Sequence, residues 1–174
     1  MRDAQERFIE REDGGWTNVE REGYVVGVAT PGVATPGVAT GVVRHTLIGG
    51  RKDDDRAPGP RLEVRYFELP PGTVTRLEKH EHEHFVIVGE GVGHAIVGEE
   101  VREVQPHDVV YVGPWEVHQF VNRGDETFGF FCTVTAVRDF SQKPSAEELA
   151  GLYASPAGAF IDPDGAPPPR RHVG

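Results

Sequence analysis

From residue 61 to 137 the chain breaks into short runs of apolar and β-branched residues separated by glycine-rich turns, and no other feature restricts its fold as much. Leu62-Glu63-Val64-Arg65-Tyr66-Phe67-Glu68-Leu69 is strand-like and closes on Pro70-Pro71-Gly72. Further strands are expected around 73–77, 85–88, 94–97, 101–104, 108–112, 118–121 and 127–137. Their separators are Gly89-Glu90-Gly91, Gly98-Glu99, Pro106-His107 and Arg123-Gly124-Asp125. Many short strands at even spacing make a sandwich or barrel, so the expected class is all-β. The 22 glycines and 14 prolines exceed average usage and argue against a helix bundle.

The flanks differ in character. Gly27-Val28-Ala29-Thr30-Pro31 recurs from Gly32 to Pro36 and, without its proline, from Gly37 to Thr40. An odd period cannot keep one face of a strand inward, so the repeat reads as an extended loop. Lys52-Asp53-Asp54-Asp55-Arg56 followed by Pro58-Gly59-Pro60 reads as a solvated turn. Ser145-Ala146-Glu147-Glu148 has capping-box spacing and predicts a short helix. The Pro-rich tail ends in Pro167-Pro168-Pro169-Arg170-Arg171. Three segments follow: an N-terminal arm with the repeat loop (1–60), a barrel (61–140), and a short helix with a Pro/Gly-rich tail (141–174).

A formal charge of −10 disfavours nucleic acid as partner, since binding its backbone needs a basic face. No run of about 18 apolar residues is present, so no membrane helix is expected. The amino terminus is mostly charged, and the expectation is a cytoplasmic protein. A single cysteine, Cys132, precludes an intrachain disulfide. Its setting in Phe130-Phe131-Cys132-Thr133-Val134 makes it a core residue. A small-molecule ligand is the expected partner.

Glu78-Lys79-His80-Glu81-His82-Glu83-His84 is the densest collection of potential ligands. In an extended strand, residues 78, 80, 82 and 84 share one face, with Glu81 and Glu83 opposite. Imidazole and carboxylate together suit Mn, Fe, Ni, Zn or Cu better than Ca or Mg. One divalent transition metal is therefore the expected cofactor.

The frame around this cluster is regular: Gly72, five residues, Glu78, one residue, His80, three residues, His84, six residues, Gly91. It resembles the first signature of the cupin superfamily, Gly followed after five residues by His-x-His, then Glu, then Gly. The segment from His107 to Asn122 resembles the second signature, Gly, five residues, Pro-x-Gly, two residues, His, three residues, Asn. The resemblance covers about residues 61–137. Carried over by position, the metal ligands are Glu78, His80, His84 and His118, with the carboxylate moved to the first place. His107, Gly113 and Trp115 stand where the family has Gly, Pro and Gly.

The resemblance implies a small conical double-stranded β-helix (a jelly-roll barrel) with the metal at its mouth, usually paired into dimers by an extra strand. Residues 41–48 are the candidate for that strand, and a homodimer is expected. Three functions are compatible. The first is a metal-dependent lyase, isomerase, hydrolase or dioxygenase acting on a small oxygenated metabolite, with His82, Tyr111 and Glu116 as candidates for proton transfer. The Glu-x-His-x-x-x-His order is similar to the manganese site of ureidoglycine aminohydrolases, where the fourth ligand is glutamine. The second is a cupin dioxygenase of quercetinase type. The third is a non-catalytic metal- or ligand-binding cupin.

Overall fold

The computed structural model describes residues 10–12, 15–16, 21–23, 42–52, 56 and 59–163. The pentapeptide repeat, Asp53-Asp54-Asp55 and the Pro-rich tail lie outside the described residues. In chain order the elements are β1 (Arg11–Glu12), β2 (Gly15–Trp16), β3 (Arg21–Gly23), β4 (Val43–Ile48), β5 (Leu62–Leu69), β6 (His84–Glu90), β7 (Gly93–Val97), β8 (Glu100–Val104), β9 (Val109–Val112), β10 (His118–Val121) and β11 (Phe128–Thr135). Helix α1 (Ala146–Ala154) and a 3-10 turn (Pro156–Ala159) follow. The fold is all-β, as the turn spacing predicts.

Two sheets form the barrel, one ordered β3-β4-β5-β11-β6-β9 and the other β10-β7-β8, while β1 and β2 make a separate hairpin. Every strand pair is antiparallel. The sheets meet in one core, where Phe67, Leu69, Val86, Val88, Phe128 and Phe130 face Ala95, Val104 and Phe120. Residue alternation decides which side chains reach the interior. On β6, His84, Val86 and Val88 are buried while Phe85 and Ile87 are about half exposed. Cross-strand partners share a face, so the rows Arg44–Phe67–Phe130 and Thr46–Arg65–Cys132 run across the inner face of the large sheet. On its outer face Tyr66 and Phe131 lie under Trp16 of the hairpin, with ring centroids 5.3 and 5.7 Å away.

The carboxyl-terminal segment closes the far side of the small sheet. Ser145 caps α1 with the reciprocal Glu148 contact that its spacing predicts. Leu152, Ala157 and Ile161 bury against Val74, Leu77, Ile96, Val117 and Val121, forming a second core. The Gln119 amide donates to the backbone oxygens of Thr75 and Asp162, and Lys79 meets Glu148 at 2.7 Å. Among the described residues no helix is long and apolar enough to cross a membrane.

Two expectations require correction. Residues 73–77 do not form a regular strand. They touch β10 through isolated bridges, Val74 to Val121 and Glu78 to His118, whose spacing differs by one residue. The Thr75 hydroxyl accepts the Phe120 N–H inside that irregularity, as a side chain does at a bulge. Residues 78–84 are not one extended strand either, because the chain bends at Glu81 and His82 and β6 starts only at His84. Within residues 41–48, the candidate segment for pairing with a second copy, β4 pairs in this chain between β3 and β5.

Candidate metal centre

The bend before β6 is built by one carboxylate. Asp139 accepts the backbone N–H groups of Glu81 (2.8 Å) and His82 (3.2 Å), and its Oδ1 lies 2.6 Å from His82 Nδ1. Burial disfavours the ionised carboxyl, but these donors outweigh it and bring its pKa down to about 2. Across the bend, His80 Nδ1 lies 2.7 Å from the His82 carbonyl. The bend thereby turns His80 inward beside His84, a juxtaposition that an extended strand would make only by alternation. His118 arrives from β10, its Nδ1 2.9 Å from the Glu116 carbonyl.

His80, His84 and His118 are each buried, and one ring nitrogen of each lies within 4.8 Å of the others. All three Nε2 atoms are buried without a hydrogen-bond partner. An orphaned buried polar atom is costly, and three converging on one point have the geometry of a ligand set. Carbonyl acceptors at Nδ1 of His80 and His118 place the proton there and leave the Nε2 lone pair for an ion. Burial keeps the rings neutral. It lowers His80, takes His84 well below the ordinary histidine range, and brings His118 to about 4, with the neighbouring rings adding to all three shifts. The residues therefore fit a divalent transition metal, since histidine binds metal only in its neutral form.

Glu78 lines the same cavity and acts electrostatically on His80, but its carboxylate stands outside the tight three-histidine cluster. His82 also lines the cavity, stacked on His80 with ring centroids 3.6 Å apart. Tyr111 and Glu116 line a separate groove on the β8–β9 side and not the histidine cavity. Tyr111 alternates outward between the inward Val110 and Val112, and its hydroxyl donates to Glu83 on the exterior. The Glu116 carboxylate accepts the Gly113 N–H at 2.7 Å, so this residue reaches the site only through its backbone carbonyl.

The two turns of the second signature keep left-handed backbone without glycine: His107 has φ 80° and Trp115 φ 63°. These are the two positions where the resemblance expects glycine. The Trp115 N–H donates to the His80 carbonyl at 2.7 Å, which joins the two signatures at the histidine cluster.

Sequence reasoning missed Asp139 and the arginines. The cavity, about 220 Å³, is lined by Arg44, Arg51, Arg65, Arg76 and Arg138 as well as by Cys132. None of these stands near the histidines in the chain except Arg76, two residues before Glu78, so only the pairing of distant strands reveals them.

Comparison with known proteins agrees with this geometry. The cupin domain family model matches residues 65–134. A 1-methylthio-D-xylulose 5-phosphate methylsulfurylase from Rhodospirillum rubrum is 46% identical over 122 residues, 70% of this chain and 74% of the relative. Among solved structures, a cupin-2 domain protein of Rhodospirillum rubrum shares 35% identity, covering 91% of this chain and 97% of that one with a TM-score of 0.69. A cupin 2 conserved barrel protein of Rhodopseudomonas palustris shares 31% identity, covering 88% and 98% with a TM-score of 0.71.

Proposed function

This chain belongs to the cupin family, and from that premise we propose that it is a metal-dependent enzyme acting on a small thioether-bearing ketose phosphate, the substrate class in the name of its methylsulfurylase relative. The observation that carries the reading is the convergence of three buried, partnerless Nε2 atoms in a cavity with room for a ligand. His80, His84 and His118 would hold the metal, with Glu78 the nearby carboxylate that completes the set. A bound divalent ion supplies Lewis-acid polarisation of a substrate carbonyl.

The rest of the chemistry falls to the chain. A carbonyl so polarised would acidify the adjacent carbon, where the thioether of the relative's substrate is attached. His82 would exchange that proton: it lines the cavity, and its Nδ1 lies against Asp139, which leaves Nε2 for transfer. The apolar rings of Phe67, Phe120 and Phe130 line the same space.

The test is to incubate metal-loaded protein with 1-methylthio-D-xylulose 5-phosphate in deuterated buffer. Solvent deuterium entering next to the carbonyl, or consumption of the compound, is the expected result, abolished by chelation and by His118→Ala. Absence of both would overturn the reading. Oxygen uptake with flavonols in their place would return the quercetinase-type alternative.

A further inference from the structure

The histidine cavity has two unlike ends, and strand register orders its walls. On β10, Phe120 stands two residues beyond His118, about 7 Å further into the barrel. On the large sheet, Phe130 lies between Phe67 and Val88, the latter four residues along β6 from His84. The row between holds Arg65, Cys132 and Val86. Three rings therefore close the inner end: Phe130 stacks on Phe67 with centroids 5.3 Å apart and meets Phe120 at 4.6 Å. All three are buried, and all three line the cavity that holds His80, His84 and His118.

The outer end is polar. From Phe130, β11 runs outward past Cys132, and the chain that follows brings Asp139 to the bend at His82. Arg51, Asp139 and Ser141 line the cavity here, beside the exposed Phe140. In the relative's substrate the thioether sits on the carbon next to the carbonyl. A carbonyl held at the histidines therefore points the sulfur either toward the rings or toward the polar end. Sugar hydroxyls and a phosphate need water or polar partners, which three phenyl rings do not offer. A methylsulfanyl group is apolar and polarisable, so burial of its methyl is favourable and its sulfur gains from contact with aromatic rings. A hydroxyl in its place would lose its water and meet carbon.

We propose that Phe67, Phe120 and Phe130 form the specificity-determining floor of the site, which takes the methylsulfanyl end of the substrate inward and discriminates against a hydroxyl in its place. The proposal deepens the functional reading above and rests on the histidine cavity being the substrate site. It orients the substrate: the thioether faces the rings, and the phosphate faces the outer end.

The experiment compares two probes that differ only in this group, 1-methylthio-D-xylulose 5-phosphate and D-xylulose 5-phosphate, each reduced with borohydride to its pentitol phosphates. Reduction removes the carbonyl, so neither probe turns over, and calorimetry on full-length protein incubated with manganese(II) reads binding alone. The thioether probe should bind at least about tenfold more tightly. Phe120→Leu, which keeps the floor apolar but removes a ring, should cut that ratio about threefold. Should this variant not fold, Phe67→Leu carries the test in the same direction. Phe85→Leu, on the exterior of β6, should leave the ratio unchanged. Equal binding of the two probes, or binding of neither, would overturn the floor. So would a ratio lost in Phe140→Leu and kept in Phe120→Leu, which puts the sulfur at the outer end. The two readings fail separately. A ring-dependent thioether preference without turnover of the ketose phosphate defeats only the reaction, whereas turnover with no preference between the probes defeats only the floor.

Discussion

The two signature segments deliver the same kind of atom, an orphaned histidine Nε2, by opposite local means. The first runs from Gly72 to Gly91, and both of these glycines take left-handed backbone, with φ 76° and 67°. A Cβ at Gly91 would sit 2.1 Å from the Thr127 carbonyl oxygen, so both conformation and space demand glycine there. The second runs from His107 to Asn122 and makes its left-handed turns at His107 and Trp115, which carry side chains into exposed space. The difference separates two requirements that a motif merges. Backbone geometry is kept in both segments, while glycine is indispensable only where another backbone crosses closely.

The comparison can be broken at its functional end first. His80→Ala or His118→Ala should lower metal affinity by about three orders of magnitude, roughly 4 kcal/mol, because one of three converging ligands is lost. Glu78→Gln, outside the tight cluster, should cost only about tenfold. Metal analysis after dialysis against a competing chelator checks both, and equal losses would place Glu78 on a par with the histidines.

Next is pH. Burial holds the folded pKa of His118 at about 4, below its ordinary 6.5, so protons bind the unfolded chain first. Stability of the metal-free protein is therefore full above pH 6.5 and falls as pH drops toward 4, by on the order of 3 kcal/mol from this ring alone. Urea midpoints measured across that window should decline, and His118→Ala should flatten the slope.

The turn glycines give the third contrast. Gly91→Ala should destabilise by about 2–4 kcal/mol, through strain at positive φ and the clash with Thr127. His107→Gly should do the reverse and stabilise by about 1 kcal/mol, relieving a left-handed residue whose side chain is exposed. A rise in melting temperature of about 2–4 °C would register it. Loss of stability in His107→Gly would mean that its side chain holds the turn.

Much of this fold is legible along the chain because its cues are local. The run from Leu62 to Leu69, the four residues from His118 to Val121 and the capping box at Ser145 need only period-two alternation or a four-residue spacing to be recognised. The regions that escaped are those where local pattern and tertiary contact disagree. Residues 78–84 alternate like a strand, but two backbone N–H groups bond to a carboxylate more than fifty residues away, and the chain bends. Tyr111 has the residue type of a group for proton transfer, yet alternation on an edge strand points it to the exterior.

Strand spacing, turn positions and the residue types gathered at the candidate site follow from the chain alone, since each depends on residues within a few positions of one another. Tertiary structure alone decided that arginines from residues 44 to 138 share one cavity with three neutral histidines, and that Asp139 shapes the bend between two of them. The physical reason is antiparallel pairing. Register brings together side chains far apart in the chain and chooses their face, and no short-range periodicity encodes which strands will meet.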